Sequence, residues 1–228
     1  MINVSDGERW TYGGPTSGMV GVPSSLKFNF TREYYVGIYS SSSVAGTTNP
    51  FSSWYAAGSI INLTAAANQG WQLEGWNGTG GGSYSGDSPT FTISVSGPIA
   101  QTAVFYPSLV LNAGSGGSIG YVYGSVHGLV SDGTSKVLFL PTGTSVTLTS
   151  SPAILQRFGG WSGTVNDGSQ SATVTVNSPV EVTATFGLDV LLIASLGLLI
   201  ILMLVVVILL LRRRGPHTTS PTVQPKTI

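Results

Sequence analysis

The chain has 228 residues and a formal net charge of zero, and only 8% of its residues are charged, against about 25% in an ordinary soluble domain. The absence of cysteine excludes disulfides, thiolate metal sites and cysteine nucleophiles, and the balance of nine basic against nine acidic residues argues against nucleic acid as a partner. A hydrophobic content of 42% is too high for a disordered chain, and the 31 glycines do not follow the three-residue period of collagen.

Residues 1–32 predict an N-terminal β segment, which we interpret as the end of an upstream domain. Residues 25–30 alternate between polar and apolar types, as the closing strand of an earlier β domain would. Residues 1–6 contain neither a basic start nor an apolar run, so no export signal is recognised there. We therefore expect a start farther upstream or a longer surface protein of which this is the C-terminal part; the remaining possibility is insertion through a C-terminal span alone.

Residues 33–187 predict an all-β region. No stretch shows helical periodicity over three turns, and short alternating runs are separated by Gly, Pro, Asn and Ser. Residues 90–96 and 144–149 are two such runs, each with one apolar face and one hydroxyl-rich face.

The same region contains an internal repeat in three ordered blocks. Residues 58–64 match 143–149 and residues 73–79 match 158–164, both at an offset of 85, while residues 97–105 match 178–186 at an offset of 81. The blocks predict two repeats, residues 33–107 and residues 108–187. The second repeat carries an additional hairpin-like segment between Ser118 and Leu140.

The second block has the form Φ-x-G-W-x-G-T, where Φ is apolar; it contains Gly75, Trp76 and Gly78 in the first repeat and Gly160, Trp161 and Gly163 in the second. This block, followed by an alternating strand, a proline and a terminal A-x-F, resembles the divergent internalin B-type repeat. The resemblance covers about residues 33–187. It implies small β units arranged in tandem on a bacterial or archaeal cell surface.

The two tryptophans of this block are predicted to be structural. Each can bury a large ring in a module too small to have much core, and the adjacent glycines permit turns and close backbone approach. The alternative is that both rings form a platform on which carbohydrate stacks. Tyr55 and Trp71 have no aromatic counterpart in the second repeat, so we expect them to make exposed contacts specific to the first.

Residues 188–211 predict a transmembrane helix, because residues 190–211 are uncharged and almost entirely aliphatic. Arg212, Arg213 and Arg214 follow directly, which predicts a cytoplasmic C-terminus and an extracellular location for everything before Asp189. Residues 1–187 hold five basic and eight acidic side chains, whereas residues 212–228 hold four basic and no acidic ones. We interpret residues 212–228 as a short disordered tail.

Four N-glycosylation sequons precede the span, at Asn3, Asn29, Asn62 and Asn77. Each is a candidate site. Glycans would keep a weakly charged surface soluble.

The sequence predicts no catalytic, cofactor-binding or metal-binding residue. His127 is the only histidine before the span, too few for a histidine metal site, and the acids of that region are scattered singly. Glu74 and Asp167 are the pair of acids that folding would have to bring together to create an acid–base site. We therefore predict that the chain is not an enzyme.

These features favour a single-pass cell-surface protein, with tandem β repeats as a stalk or adhesion module. The expected partners are the lipid bilayer through residues 190–211 and other envelope proteins or surface glycans. The composition suits an archaeal envelope. A rival interpretation rests on the residues around Tyr34 and Tyr35, which resemble those preceding such repeats in the tails of thermopsin-like acid proteases. In that case the chain would be the membrane-anchored C-terminal part of such a protease.

Overall fold

A computed structural model of the chain describes residues 4–5, 7–14 and 29–213. The strands up to the end of the first repeat are β1 (Val4–Ser5), β2 (Glu8–Tyr12), β3 (Phe30–Ser40), β4 (Gly46–Asn49), β5 (Ser53–Ala56), β6 (Ile60–Ala67), β7 (Trp71–Gly80), β8 (Thr90–Ser94) and β9 (Ile99–Ala113). They are followed by β10 (Gly117–Tyr123), β11 (Val126–Val130), β12 (Ser135–Phe139), β13 (Thr144–Pro152), β14 (Gln156–Gly163), β15 (Ser171–Val176), β16 (Val180–Leu188) and the helix α1 (Val190–Arg213). The prediction of an all-β region followed by one C-terminal helix is confirmed.

Each repeat folds into two packed layers. In the first repeat β4, β6 and β8 form a three-stranded sheet that lies over β3, β5, β7 and the first half of β9. In the second repeat the sheet β11-β10-β13-β15 lies over β12, β14, β16 and the second half of β9. The fourth strand of that sheet, β11, forms a hairpin with β10 and accounts for the additional segment seen in the sequence. Each pair of layers encloses a separate hydrophobic core.

The strand β9 belongs to both repeats. Its 15 residues pair with the parallel strand β3 and the antiparallel strand β7 in the first half, and with the antiparallel strand β12 and the parallel strand β16 in the second half. One continuous backbone is therefore the last strand of the first repeat and the first strand of the second. The predicted boundary between residues 107 and 108 falls inside this strand, so no linker separates the repeats.

One face of β9 is buried from end to end, and on the other face only Ser108, at the junction, is also buried. Ile99, Ala103 and Phe105 enter the first core, and Leu109 and Leu111 enter the second. Because the period of two is kept through the junction, both cores lie on the same face of one nine-stranded sheet. The polar side chain on this face, Gln101, is fully buried, and its amide group exchanges two hydrogen bonds with the backbone of Tyr84, at 3.1 and 2.9 Å.

The Φ-x-G-W block forms a β-bulge rather than a turn. In the first repeat Leu73 pairs with Phe105 and Gly75 pairs with Val104, so the intervening Glu74 is an extra residue in the strand. The register shifts in the same way between Phe158 and Gly160 in the second repeat. The bulge allows the apolar residue and the tryptophan, three positions apart, to face the same core. We expected these glycines to permit turns with positive φ; all four lie within β7 and β14 instead of in turns, but Gly75, Gly160 and Gly163 do have positive φ.

The turn before each bulged strand has a left-handed residue that holds the next strand in place. The carbonyl oxygen of Gly70, at φ 81°, accepts a hydrogen bond of 2.8 Å from the backbone N–H of Ser108 in β9. The corresponding residue of the second repeat is Leu155, at φ 64°, whose carbonyl accepts a bond of 2.9 Å from Asp189. The same pattern occurs near the N-terminus, where Gly7 accepts from Tyr35 at 2.8 Å. The pair β2–β3 therefore occupies the position that the closing strands occupy in each repeat.

Both block tryptophans lie in the cores. Trp76 is 2% exposed and contacts Phe91 edge-on at a centroid distance of 5.2 Å; Trp161 is 4% exposed and contacts Phe158 at the same distance. The indole N–H of Trp161 donates to the carbonyl oxygen of Ser169 at 2.9 Å. The indole N–H of Trp76 is buried without an acceptor among the described residues.

This difference predicts unequal effects of the same substitution. Trp76→Ala and Trp161→Ala should each lower the free energy of unfolding by about 3–5 kcal/mol, because each empties a large core site. Trp161→Phe should lower it by about 0.5–1.5 kcal/mol more than Trp76→Phe, because only the former breaks a hydrogen bond. Thermal unfolding of the full chain in detergent, followed by circular dichroism, measures both. Equal effects of the two phenylalanine substitutions would contradict the hydrogen-bond assignment.

The left-handed turn residues predict a second contrast. Gly70→Ala should destabilise the protein by more than about 1–2 kcal/mol, because alanine is strained at positive φ and its Cβ would lie 2.7 Å from the Cβ of Pro179. Leu155→Gly should change the free energy of unfolding by less than about 1 kcal/mol, because relief of strain opposes the greater backbone entropy of glycine. The same unfolding measurement compares the two. A strongly destabilised Leu155→Gly variant would show that the Leu155 side chain is needed for folding.

Candidate functional site

The titratable side chains do not assemble into a reaction centre within the part of the chain that the structure describes. His127 lies exposed on β11 opposite Val122, and His217 is outside that part. No group of three or more His, Asp or Glu residues with metal-binding geometry occurs among the described residues. Glu74 is the extra residue of the first bulge, whereas Asp167 lies in the loop after β14 and accepts a hydrogen bond from the backbone N–H of Ser169 at 2.9 Å. That bond holds the pKa of the Asp167 carboxyl below its usual value.

The aromatic residues expected to be exposed are instead partly buried. Tyr55 and Trp71 both pack against the core of the first repeat, so our expectation of exposed contacts there was wrong. The carbohydrate-platform alternative for Trp76 and Trp161 is excluded by their burial. The offset of 85 aligned these residues with their counterparts, but it gave no information about which face of a strand each one occupies.

The glycines of the block have distinct packing roles. Gly75 and Gly160 follow the extra residue of each bulge, with φ of 159° and 135°. A Cβ on Gly78 would lie 2.0 Å from the side-chain oxygen of Gln101 and 2.2 Å from the backbone oxygen of Tyr84. A Cβ on Gly163 would lie 2.4 Å from the backbone oxygen of Glu181. These positions serve close packing of strand against strand or loop.

Three sequons lie at exposed asparagines. Asn29 precedes β3, Asn62 lies on β6 opposite Thr92, and Asn77 lies on β7 opposite Thr102. Asn3 is outside the described residues. The three exposed amides are accessible to modification.

A concentration of charge and aromatic rings on β2 and β3 was not predicted. Arg9 donates to Glu33 at 2.6 Å on one face of this pair of strands, and Arg32 forms a bidentate pair with Glu8 at 2.9 Å on the other. The hydrogen bonds from Arg32 lower the pKa of the Glu8 carboxyl. The partners are 24 residues apart in the chain, so only strand pairing brings them together. Arg9 also lies 4.6 Å from the centroid of the Trp54 ring.

We call the exposed residues Trp10, Phe30 and Arg32 the distal patch. Phe30 and Arg32 lie on the same face of β3 as Tyr34, which is buried in the first core. Trp10 pairs with Arg32, and its ring lies 5.8 Å from the guanidinium. Trp10 and Phe30 are 44% and 54% exposed. In the two repeats the corresponding face is covered by the second sheet, whereas here these side chains reach solvent.

Two shallow clefts flank the junction between the repeats. One, of about 310 Å³, is lined by residues that include Ser41, Trp71, Tyr106 and Asn177. The other, of about 400 Å³, is lined by residues that include Gln69, Ser108, Pro179 and Glu181. Glu181 is the one charged side chain that lines either cleft. Its carboxylate accepts a hydrogen bond of 2.6 Å from the side-chain amide of Asn112. The linings suit weak polar contacts rather than activation of a nucleophile.

The helix α1 begins directly after the last strand of the second repeat. Asp189 caps it: its carboxylate accepts from the N–H of Leu192 at 3.0 Å and its carbonyl accepts from Ile193 at 3.0 Å. The helix has 24 residues, about 36 Å in length, and is long and apolar enough to cross a membrane. None of its residues is buried against the strands. Arg212 and Arg213 lie in its last turn, and Arg214 lies outside the described residues.

The repeats were compared with known proteins and solved structures. No curated protein matches the chain at a significant level. Among solved structures, an adhesin from Mobiluncus mulieris with intramolecular disulfide, isopeptide and ester bond cross-links is similar at 14% identity and a TM-score of 0.27, over 59% of this chain and 65% of that one. The match thus spans less than two thirds of the adhesin chain.

The model of the divergent InlB B-repeat domain matches the chain twice, over residues 39–109 and residues 108–189. The two matches meet inside β9, where the structure shows one repeat continuing into the next. The resemblance inferred from the Φ-x-G-W block is confirmed, and the chain belongs to the divergent InlB B-repeat family.

Proposed function

We propose that this protein is a single-pass cell-surface protein whose tandem β repeats act as a stalk or adhesion module, with residues before Asp189 extracellular and the C-terminus cytoplasmic. The observation that carries the proposal is the direct passage from β16 to α1. Only Asp189 separates the strand, which ends at Leu188, from the helix, which begins at Val190. A force on the repeats would therefore reach the membrane anchor without a flexible linker.

The mechanical part of the proposal rests on the pairing of β3, β9 and β16. These three strands lie side by side and parallel, so the ladders that join the N-terminal strands to the anchor are continuous. Loops without regular structure would yield to a force first, because they lack such ladders. A stalk built in this way holds its distal end at a defined place.

The adhesive part rests on the distal patch. It lies at the end of the chain opposite to the helix, and it combines exposed aromatic area with an arginine, residue types enriched at binding hot spots. We propose envelope proteins or surface glycans as its partners. Glycans on Asn29, Asn62 or Asn77 would shield the sides of a surface that carries few charges. We propose no catalytic role, because the acids of the repeats are separated or hydrogen-bonded locally.

Cysteine labelling tests the orientation, since the chain has no cysteine of its own. Ser125→Cys, in the exposed turn between β10 and β11, should react with a membrane-impermeant maleimide in intact cells. Ser220→Cys, beyond the helix, should react only after the cells are permeabilised. The reverse pattern, or labelling of both in intact cells, would contradict the proposed orientation.

Cell adhesion tests the distal patch. Cells displaying the full chain should bind isolated envelopes or immobilised envelope glycans, and Trp10→Ser combined with Phe30→Ser should reduce that binding several-fold. Tyr39→Ser is the matched control, because Tyr39 is an exposed aromatic residue of β3 outside the patch. An equal loss with the control, or no difference between patch variant and parent, would contradict adhesion through this patch.

A further inference from the structure

The turn between β13 and β14 carries apolar side chains that do not belong to either hydrophobic core. Ile154 is 91% exposed and Leu155 is 36% exposed, and nearby Leu188, at the end of β16, is 59% exposed. None of the three belongs to the core of the second repeat. We call Ile154, Leu155 and Leu188 the proximal tip.

Hydrogen bonds fix the proximal tip beside the first turn of α1. The backbone N–H of Asp189, the helix cap, donates to the carbonyl oxygen of Leu155 at 2.9 Å. The turn is closed by a bond from Gln156 to the carbonyl of Ala153 at 3.0 Å, and Ala153 itself donates to Gly116 at 2.8 Å. The tip is therefore a rigid feature at the level where the apolar helix begins.

The first repeat contains the same turn with polar residues. There Trp71 donates to the carbonyl of Asn68 at 3.0 Å, as Gln156 does to Ala153, and the two residues between them are Gln69 and Gly70. Ile154 and Leu155 occupy these two positions in the second repeat. The turn in the middle of the chain is thus polar, whereas the turn next to the apolar helix is apolar.

The backbone conformation of Leu155 also distinguishes this turn from the matching turn of the first repeat. This residue adopts φ 64°, where the first repeat has a glycine and where a leucine is strained. It is the one non-glycine residue with positive φ in the part of the chain that the structure describes. Leu155 is 36% exposed and lies outside the core cluster of the second repeat, so packing in that core does not account for its presence.

The groups around the tip are compatible with a lipid headgroup region. Arg157 follows the turn and is exposed, where it can reach lipid phosphates. Asp132 accepts a hydrogen bond from the backbone N–H of Gly116 at 2.9 Å, and Asp189 is engaged as the helix cap. Both carboxylates therefore have partners close to the headgroup level.

We infer that the proximal tip inserts into the interface of the same bilayer that α1 crosses, and so holds the second repeat against the membrane at a defined angle. This inference rests on the proposed membrane anchoring. The occupant is lipid, because the tip is continuous with the apolar helix through the bond between Leu155 and Asp189. The tip thus adds a second membrane contact beside the helix, which restricts tilting of the helix and the repeats together relative to the bilayer.

Depth-dependent quenching tests the inference in the full chain. The chain would be reconstituted in liposomes with a single cysteine carrying an environment-sensitive fluorophore, at Ile154→Cys for the tip, Gln69→Cys for the matching turn of the first repeat and Leu199→Cys for the helix. Lipids with a nitroxide near the headgroup should quench the probe at residue 154 several-fold and leave the probe at residue 69 unchanged. Lipids with a nitroxide deep in the acyl chain should quench the probe at residue 199.

The three probes separate the possible outcomes. Quenching at residue 199 without quenching at residue 154 would overturn the inference and leave the anchor intact. No quenching at residue 199 would overturn the anchoring itself, and with it the inference. A probe at residue 154 that is shielded from solvent but not quenched by nitroxide lipid would show that a second copy or another protein covers the tip, which also overturns the inference.

A variant that restores the turn of the first repeat provides a second test. Ile154→Gln with Leu155→Gly carries the residues found at Gln69 and Gly70 and should fold, because the first repeat folds with them. With the fluorophore on Ser115→Cys, an exposed position beside the tip, this variant should show a several-fold loss of quenching by headgroup nitroxides. Unchanged quenching at residue 115 would show that the apolar tip does not hold the repeat at the membrane.

Discussion

The architecture depends on the parallel pairing of β9 with β3 on one side and β16 on the other. Because one face of β9 is buried over all 15 residues, a single strand supplies apolar side chains to two cores without a linker. A small β module has little core of its own, and two modules that share a strand also share the cooperativity of its hydrogen-bond ladder. Packing in one repeat is thereby coupled to the other.

A hydrogen bond to the carbonyl oxygen of a left-handed turn residue is made at three corresponding positions in the described part of the chain, and the element that follows it differs. The backbone N–H groups of Tyr35 and Ser108 each donate to the carbonyl oxygen of a left-handed glycine, and the chain continues from each as a strand. The backbone N–H of Asp189 donates to the carbonyl oxygen of Leu155 in the same way, but Asp189 caps a helix. The helix that could cross a membrane thus starts at the point where another repeat would start, which explains why the connection is so short.

The charged residues are few, and many of them are used locally. Two arginine–carboxylate pairs join β2 to β3, Asp132 and Asp167 cap turns, and Asp189 caps the helix. Ion pairs at or near the surface, such as these two, contribute little to stability. The two surfaces on which our proposals rest are an exposed patch of aromatic residues and arginine on β2 and β3, and an apolar turn beside the start of the helix.

The sequence by itself determined the features that local patterns encode. Alternation of period two predicted the strands, the spacing of the blocks predicted two repeats with an additional hairpin in the second, and the uncharged run before Arg212 predicted the helix. The block spacing also identified the equivalent tryptophans. These patterns are local because each reports which face of an element is apolar, or how long an element is.

Only the tertiary structure decided how these elements meet. The sharing of β9, the bulge that places Leu73 and Trp76 on one face, and the burial of Tyr55 and Trp71 all depend on which strands pair and in what register. The ion pairs of β2 with β3, and the bond between Leu155 and Asp189, likewise join residues 24 or more positions apart. Such contacts form only when whole layers pack together. The pattern of a single stretch of the chain therefore does not predict them.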